Sequence, residues 1–458
     1  VHHSAYDNLR TTLRRHVLGD AVLSVRCPLE VVEVAGAGPN GSYRAAFEPL
    51  DVTYTVAGPS AGDGIDAITA LDGSLPFADD SFDVVVGGWG VEQSATFAAT
   101  WTNMARVCRP DGVIIIVAPT TGPAATSASD SCRLLPGALS TLADAAGVHL
   151  VDSWVDPRGP WHNVVGVFRR SVADTPPDSD GIPPSFPSEI ETLQNKWPTD
   201  APAEVEQGRG TEYYTGLLER IHHWFAPRTY VEIGVSSGKS LRLASCTAVG
   251  IDPDPHPTEP FAPNQQVVAH TSDDVFAFTD IPSRTGPFDL AFIDGMHLAE
   301  YVVMDFMNVE RHCHAASLIL IDDPCPAHPM QAERTRITQF WTGDVWKIIP
   351  ILHRLRPDLM MMVIDTDPTA TLMVIGADPS NTVLWENFDE VIAEVITDAP
   401  TVDQDILDRT GAIDPGDPLL RRVVTMMAEA RTADDPAAAI DRVRQLVAGS
   451  LPRVVAPV

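Results

Sequence analysis

Short apolar runs alternate with helix-patterned stretches along most of the chain. Upstream, Val31–Val34, Phe82–Val86 and Val113–Val117 read as strands. Downstream the same rhythm returns in Tyr230–Ile233, Ala248–Ile251, Val267–Ala269, Phe288–Ile293 and Ser317–Ile321. Continuous apolar runs separated by helical patterns imply mostly parallel sheets with helices on both faces. Leu359–Ile364 and Thr371–Ile375 predict a closing antiparallel pair at a sheet edge. From Asn381 the pattern turns helical, over Val391–Ile396, Leu419–Ala428 and Ala437–Ala448. Between the two halves, Ser171–Pro202 is crowded with proline, serine, aspartate and threonine, which sustain neither a helix nor a central strand. The expected organisation is a module over 1–170, a Pro-rich linker over 171–202, a second module over 203–380 and a helical C-terminal extension over 381–458. The fold class expected is α/β, with two doubly wound, mostly parallel sheets, each with an antiparallel edge strand.

Composition narrows the function classes. A chain of 458 residues, 44% hydrophobic and 20% charged, is globular and long enough for two or three domains. With 62 acidic against 31 basic residues, its formal charge of −31 speaks against nucleic-acid partners and anionic membrane surfaces. Behind Val1 no apolar leader stretch is visible, and no run of about 18 apolar residues occurs. The six cysteines are scattered without a CxxC pair, as expected of reduced thiols in a cytoplasmic protein.

The second module carries the candidate chemistry. Tyr230–Ser240 (YVEIGVSSGKS) places Glu232 at a strand end, ahead of Gly234 and Gly238, which are expected to lead into a helix. Glycines there admit a ligand close to the backbone, and a helix start favours an anion. Twenty residues after Glu232 the next strand ends at Asp252, an acid able to accept both hydroxyls of a ribose. Thr271–Asp274 follows a third strand, where an adenine ring is usually gripped in such folds. Gly234–Ser240 also resembles a Walker A loop, with Leu318–Asp323 as a Walker B strand. The phosphate loop, however, needs four residues between its glycines, and three stand here. A tight turn with no ligand is the remaining alternative.

Phe292–His297 (FIDGMH) ends a buried strand in Asp294, with His297 three residues on, and a neighbouring strand ends in Asp322–Asp323. Three carboxylates gathered in one crevice repel one another unless a cation sits among them, and all-oxygen ligands suit Mg²⁺ or Mn²⁺. Alternatively each acid is a helix cap or a solvated strand end, and His297 a histidine without a ligand. His312, Cys313, His314, Cys325 and His328 match no zinc spacing, and the first three are expected on a helix.

These motifs, with GDVWK at Gly343–Lys347 and RPDL at Arg356–Leu359, resemble the metal-dependent class I O-methyltransferases. Those of the macrocin and macrolide-sugar type are most similar, and the cephalosporin hydroxylase-like proteins share the pattern. The resemblance covers about Tyr213 to Leu384. It implies S-adenosylmethionine (SAM) on Glu232, Gly234, Ser236, Gly238, Ser240, Asp252, Ser272 and Asp273. It also implies Mg²⁺ or Mn²⁺ on Asp294, Asp322 and Asp323, with His297 as general base. The family often has glutamate where Asp322 stands. The implied reaction is methylation of a sugar hydroxyl on a natural product or glycan, with a catechol or phenol as the alternative acceptor. A P-loop-like NTPase and a non-enzymatic scaffold are the remote alternatives, and a homo-oligomer is expected. Pro324–Phe340, directly after the acid pair, is expected to cover the acceptor.

Leu75–Val86 and Met104–Gly112 in the first module resemble a methyltransferase fold as well. Its glycine turn, Glu33–Gly41 (EVAGAGPNG), is irregular, its next strand ends in Ala57–Gly58 without an acid, and no acid pair precedes Pro119. A degenerate copy serving dimerisation or acceptor binding is expected, with a second active SAM site as the alternative.

Overall fold

A computed structural model describes residues 2–35, 41–70, 72–88, 96–121, 133–171, 182–186, 201–396 and 401–450. The chain divides into two compact units, Val1–Thr192 with Trp385–Glu390, and Leu193–Leu384 with Val391–Val458.

The first unit is built on β1 (Leu29–Val34), β2 (Val52–Gly58), β3 (Ala67–Ile68), β4 (Phe82–Gly87), β5 (Cys108–Pro119), β6 (His149–Val155) and β7 (Asn163–Arg169), in the spatial order β3-β2-β1-β4-β5-β7-β6. β1 to β5 are parallel, while β7 runs antiparallel to both β5 and β6. Alternate residues of β5 divide between two cores. Ile114 and Ile116 pack with Trp101, Met104 and Leu139 from the helices Phe97–Val107 and Pro136–Ala146, whereas Ile115 and Val117 join Leu9, Leu13 and Phe47. Phe186, from the Pro-rich stretch, is buried in the latter core, and Arg14 donates to the carbonyls of Pro183 and Pro184. Residues 172–181 and 187–200 of that stretch, and most of the turn after Glu33, lie outside the described residues.

The second unit begins its strands with the short β8 (Glu212–Tyr213). β9 (Thr229–Ile233), β10 (Thr247–Ile251), β11 (Gln265–Val268), β12 (Phe288–Ile293), β13 (Cys313–Asp322), β14 (Met360–Ile364) and β16 (Thr371–Ile375) form the main sheet, while β15 (Thr366–Asp367) pairs with β8. Its order, β11-β10-β9-β12-β13-β16-β14, repeats that of the first sheet. The antiparallel strand β16 stands one position in from the edge, between β13 and β14. All of β12 is buried, which is why its sequence is an unbroken apolar run apart from Asp289.

One expectation changes. No helix follows Gly238; the chain makes only a 3₁₀ turn at Leu241–Leu243 before β10 starts at Thr247. Eight residues separate Gly238 from Thr247, too few for a helix and its connection to the next strand. The C-terminal extension is helical, as expected, and it packs on the second sheet. Pro418–Ala430 and Pro436–Ser450 lay Leu420, Val423, Val424, Met427 and Val443 on the sheet face formed by Leu290, Phe292, Met360 and Met373, beside the helix Tyr214–Phe225. Arg431 fastens this layer, binding Asp289 at 3.0 Å and the carbonyls of Phe225 and Ala226. The largely exposed Arg228 and the partly buried His314 also bind the buried Asp289 and, with Arg431, hold its carboxyl well below the usual range despite its burial.

Candidate active site

The strands β9, β10, β12 and β13 all end on one side of the second sheet, so the residues that follow them share a crevice. Gly234 follows β9 at φ +87°, and a Cβ there would lie 1.7 Å from the Asp294 carbonyl oxygen. Only glycine permits that approach between the two loops. Gly238, at φ +73°, is closed over by the Phe261 ring.

Asp252 holds the loop after β9 in place. Its Oδ2 accepts the backbone N–H groups of Val235 (2.8 Å) and Ser236 (2.6 Å), and its Oδ1 accepts that of Asp254 (2.8 Å). Oδ1 therefore retains a lone pair for one further donor. The same bonds argue against a phosphate loop, because the N–H groups that would cradle phosphate are given to Asp252, no helix follows, and Lys239 is exposed. Glu232 and Ser240 do not line open space. Glu232 is fully buried and accepts from Tyr230 Oη at 2.6 Å and Ser240 Oγ at 2.8 Å. Burial raises its pKa to about 8, so it is neutral at pH 7 and ties the loop's two ends together. Ser272 and Asp273 open the helix Ser272–Phe278, capped by Thr271.

Around the acids, the structure brings Asp294, His297 and Asp323 together, with one ligand atom of each within 4.8 Å of the others; among the described residues this is the group that fits a metal ion. His297 Nδ1 lies 2.8 Å from Asp323 Oδ2 and 2.7 Å from the Trp341 carbonyl, while Nε2 is 3.3 Å from Asp294 Oδ1. The expected trio is thereby altered, with His297 standing among the acids as an ion-pair partner. Asp322 sits to one side, its Oδ1 3.4 Å from Thr371 Oγ1. Burial and the neighbouring carboxylates push Asp322 well up and Asp294 to about 6. For His297, burial opposes the charge, but Asp323 and Asp294 outweigh it and hold the imidazole protonated. Carboxylates crowded until they take up protons are a donor set that a divalent cation relieves.

Residues without a sequence signal complete the site. Trp341 stacks on His297, with ring centroids 5.4 Å apart at 9°. Burial first, and the charges of Asp294 and Asp322 after it, raise the pKa values of Tyr214, partly buried against Phe292, and of the half-exposed Tyr213. The stretch after Asp323 is pinned beside the site: Gln331 donates to the carbonyls of Val205 and Gln207, and Glu206 accepts from the Gln339 and Phe340 N–H groups. The supposed zinc residues are dispersed. Cys313 opens β13 rather than lying on a helix, His314 binds Asp289, and His328 caps the 3₁₀ turn Pro329–Ala332.

Strand register shows what the first unit has in these positions. Asp294 N–H bonds the Ile233 carbonyl, and Gly88 N–H likewise bonds that of Val34. Ile293 pairs with Ile321 ahead of Asp322–Asp323, and Gly87 pairs with Ile116 ahead of Val117–Ala118. Glu232 pairs with Gly250, two residues before Asp252, and Glu33 pairs with Val56, two before Gly58. Asp252, Asp294, Asp322 and Asp323 thus correspond to Gly58, Gly88, Val117 and Ala118. Over Gly58 lies the Ile65 side chain, 2.5 Å from where a Cβ would be. The buried glutamate survives, with Glu33 accepting from Ser42, Tyr43 N–H and Tyr54.

Residues 231–324 match one methyltransferase-domain family model, and residues 55–116 match another. Each unit has a Rossmann-like fold that fits a methyltransferase domain. Both matches support a SAM-dependent methyltransferase. No curated protein matches the chain. Similar solved structures include the O-methyltransferase TomG from Streptomyces achromogenes, in complex with SAM (16% identity, 36% of this chain and 80% of that one, TM-score 0.29). Another is an O-methyltransferase from Bacillus cereus in complex with SAH (11% identity, 38% and 85%, TM-score 0.28). At such scores they add nothing to the fold described above. Among the described residues, no helix of either domain is long and apolar enough to cross a membrane.

Proposed function

We propose that the second domain is a SAM-dependent, divalent-metal-assisted O-methyltransferase acting on a sugar hydroxyl of a natural product or glycan. The observation that carries this reading is the convergence of Asp294, His297 and Asp323 at the strand ends that also hold the glycine loop and Asp252. Asp294 and Asp323, with Asp322 beside them, would hold Mg²⁺ or Mn²⁺, which lowers the pKa of an acceptor hydroxyl. SAM supplies a sulfonium methyl group. Asp252, through the open lone pair on Oδ1, would accept one ribose hydroxyl. Asp294 and Asp323 orient His297 from two sides, and the Trp341 carbonyl fixes Nδ1 as a donor. Neutralising the two carboxylates removes what keeps the imidazole protonated, leaving Nε2 free to take the acceptor proton. Transfer of that methyl to the acceptor oxygen, with loss of its bond to sulfur, would give the methyl ether and S-adenosylhomocysteine, and His297 Nε2 would hold the acceptor proton.

A catechol offers the same vicinal oxygens, and the half-exposed Tyr213 ring favours keeping it as the second reading. The test is methyl transfer from SAM to a panel of vicinal-diol glycosides and catechols, with and without EDTA. Turnover of glycosides that chelation abolishes is expected. Turnover of catechols alone moves the assignment to the second reading, and EDTA-insensitive turnover removes the metal.

For the first domain we propose a role without SAM, in dimerisation or acceptor binding, since all four corresponding acids are missing and Ile65 fills the ribose position. Calorimetry should give one SAM per chain. A stoichiometry of two would make the first domain a second cofactor site.

A further inference from the structure

Two stretches far apart in the chain run side by side at the proposed base and meet position by position. The Trp341 ring stacks on the His297 ring, and the Trp341 carbonyl accepts from His297 Nδ1. Gly343 lies so close to the His297 carbonyl oxygen that a Cβ would overlap it. Asp344 Oδ1 then accepts the Ala299 N–H at 2.8 Å, at the start of the helix Ala299–Glu310. One side chain joins Asp344 to the next residue of that helix. Arg334 Nη1 lies 2.6 Å from Asp344 Oδ2 and 3.0 Å from Glu300 Oε2, and Nη2 binds Glu300 Oε1. Glu300 and Asp344 are only 8% and 1% exposed, so two carboxylates this close need cations between them. Lys347 Nζ supplies one, 2.8 Å from Asp344 Oδ2, but its other bond goes to the Val395 carbonyl. Arg334 supplies the second, and its fork spans both carboxylates. The indole is anchored from the neighbouring residue, with Trp341 Nε1 donating to the Glu333 carbonyl at 2.6 Å.

We propose that Arg334 is a positioning residue for methyl transfer, clamping Glu300 to Asp344 so that Trp341 holds the His297 ring at the angle from which Nε2 meets the acceptor. This deepens the reading of the site given above and rests on it. Every part that the clamp fixes bears on one imidazole: Asp344 sets the register of Trp341–Asp344 against His297–Glu300, and Glu333 sets the tilt of the indole. Asp294 and Asp323 reach the ring nitrogens at its edge, whereas Trp341 covers its face. Without the clamp the ring keeps its edge partners but can tilt about them. The fold does not depend on Arg334 in the same way, because Asp344 retains Lys347 and the Ala299 N–H.

The test is steady-state methyl transfer from SAM by the full chain, using whichever member of the vicinal-diol and catechol panel the wild type turns over fastest. Arg334→Met keeps the length of the side chain and removes its charge. Its kcat is expected to fall about thirtyfold, with the acceptor KM and the SAM Kd within about threefold of wild type, because a tilted base costs orientation rather than binding. Arg334→Lys keeps a cation between the carboxylates without the planar fork, and should return kcat to within about fivefold of wild type. Trp341→Leu removes the ring through which Arg334 acts and should cost about as much as Arg334→Met. Combining the two should then add no more than about a twofold loss, since residues that act through one contact are not additive. Wild-type kcat in Arg334→Met overturns the clamp, and so does a loss that appears in the acceptor KM instead. Two losses that multiply in the double variant overturn it as well. An Arg334→Met chain that does not fold, or a folded Arg334→Lys chain that recovers no kcat, also sinks it. All of these leave the methyltransferase reading standing. No turnover of any panel member by the wild type overturns that reading and the clamp with it.

Discussion

Replacing Asp323 with alanine is expected to lower kcat/KM for methyl transfer at least about a thousandfold, while SAM affinity changes by no more than a few-fold. A thousandfold is about 4 kcal/mol of transition-state stabilisation, and two losses combine to give it. Asp323 is one of the three groups that converge at the proposed metal position, and a hard cation bound through few protein carboxylates loses much of its hold when one is removed. The same carboxylate is the 2.8 Å partner of His297 Nδ1. Without it the imidazole keeps only the Trp341 carbonyl and Asp294, and its orientation toward the acceptor is no longer fixed. The glycine loop after β9, the proposed SAM position, leans on Asp252 and Glu232 instead, so SAM binding should persist. Asp323→Asn separates the two losses. It keeps a partner for the Thr369 hydroxyl and suits the left-handed backbone at φ +64°, but it has no charge to offer a cation. Steady-state rates with added Mg²⁺ should rank wild type far above both variants. Activity within tenfold of wild type in Asp323→Ala would remove Asp323 from the site.

The cluster of Asp294, His297 and Asp323 and the loops around it show which parts of the candidate site a sequence can carry. Asp252, Asp294, Asp322 and Asp323 were legible because each closes an apolar strand, and in a parallel sheet all such ends open on one crevice. Their partners were not. Trp341 and Tyr213 belong to segments without periodicity, and their distance from His297 and the acids is set by how those segments return across the sheet end. Glu232 was legible as an acid at a strand end. Its burial was not, because that depends on Tyr230 and Ser240 turning toward it. Nor could the pattern of glycines reveal that the segment after Gly238 is too short for its helix. In the first domain the missing acids were visible as missing, but the substitution of Gly58 for Asp252 and of Gly88 for Asp294 needed the strand register.

A chain ending at Gly416 is expected to leave the second domain unfolded, and the reason reaches back to the C-terminal helices. Their amphipathic pattern showed one apolar face each, but amphipathicity does not say against what that face packs. In the structure it packs on the second sheet. Leu420, Val423, Val424, Met427 and Val443 are all fully buried there. At about 1.5–3 kcal/mol for each fully buried side chain, those five contribute roughly 8–15 kcal/mol, comparable to the net stability of about 5–15 kcal/mol that a whole domain possesses. Truncation also bares Leu290, Phe292, Met360 and Met373 on the sheet. It further removes Arg431 from Asp289, stripping a buried carboxylate of one of its charged partners. The expected result is an aggregating chain that binds no SAM. Val424→Asp in the full chain tests the same packing more gently, by placing an unpaired carboxylate in that core, and should lower the thermal midpoint of the second domain by many degrees. If the truncated chain instead unfolds cooperatively at the wild-type midpoint, the two helices are dispensable to the domain, and the sheet face they cover is stable without them.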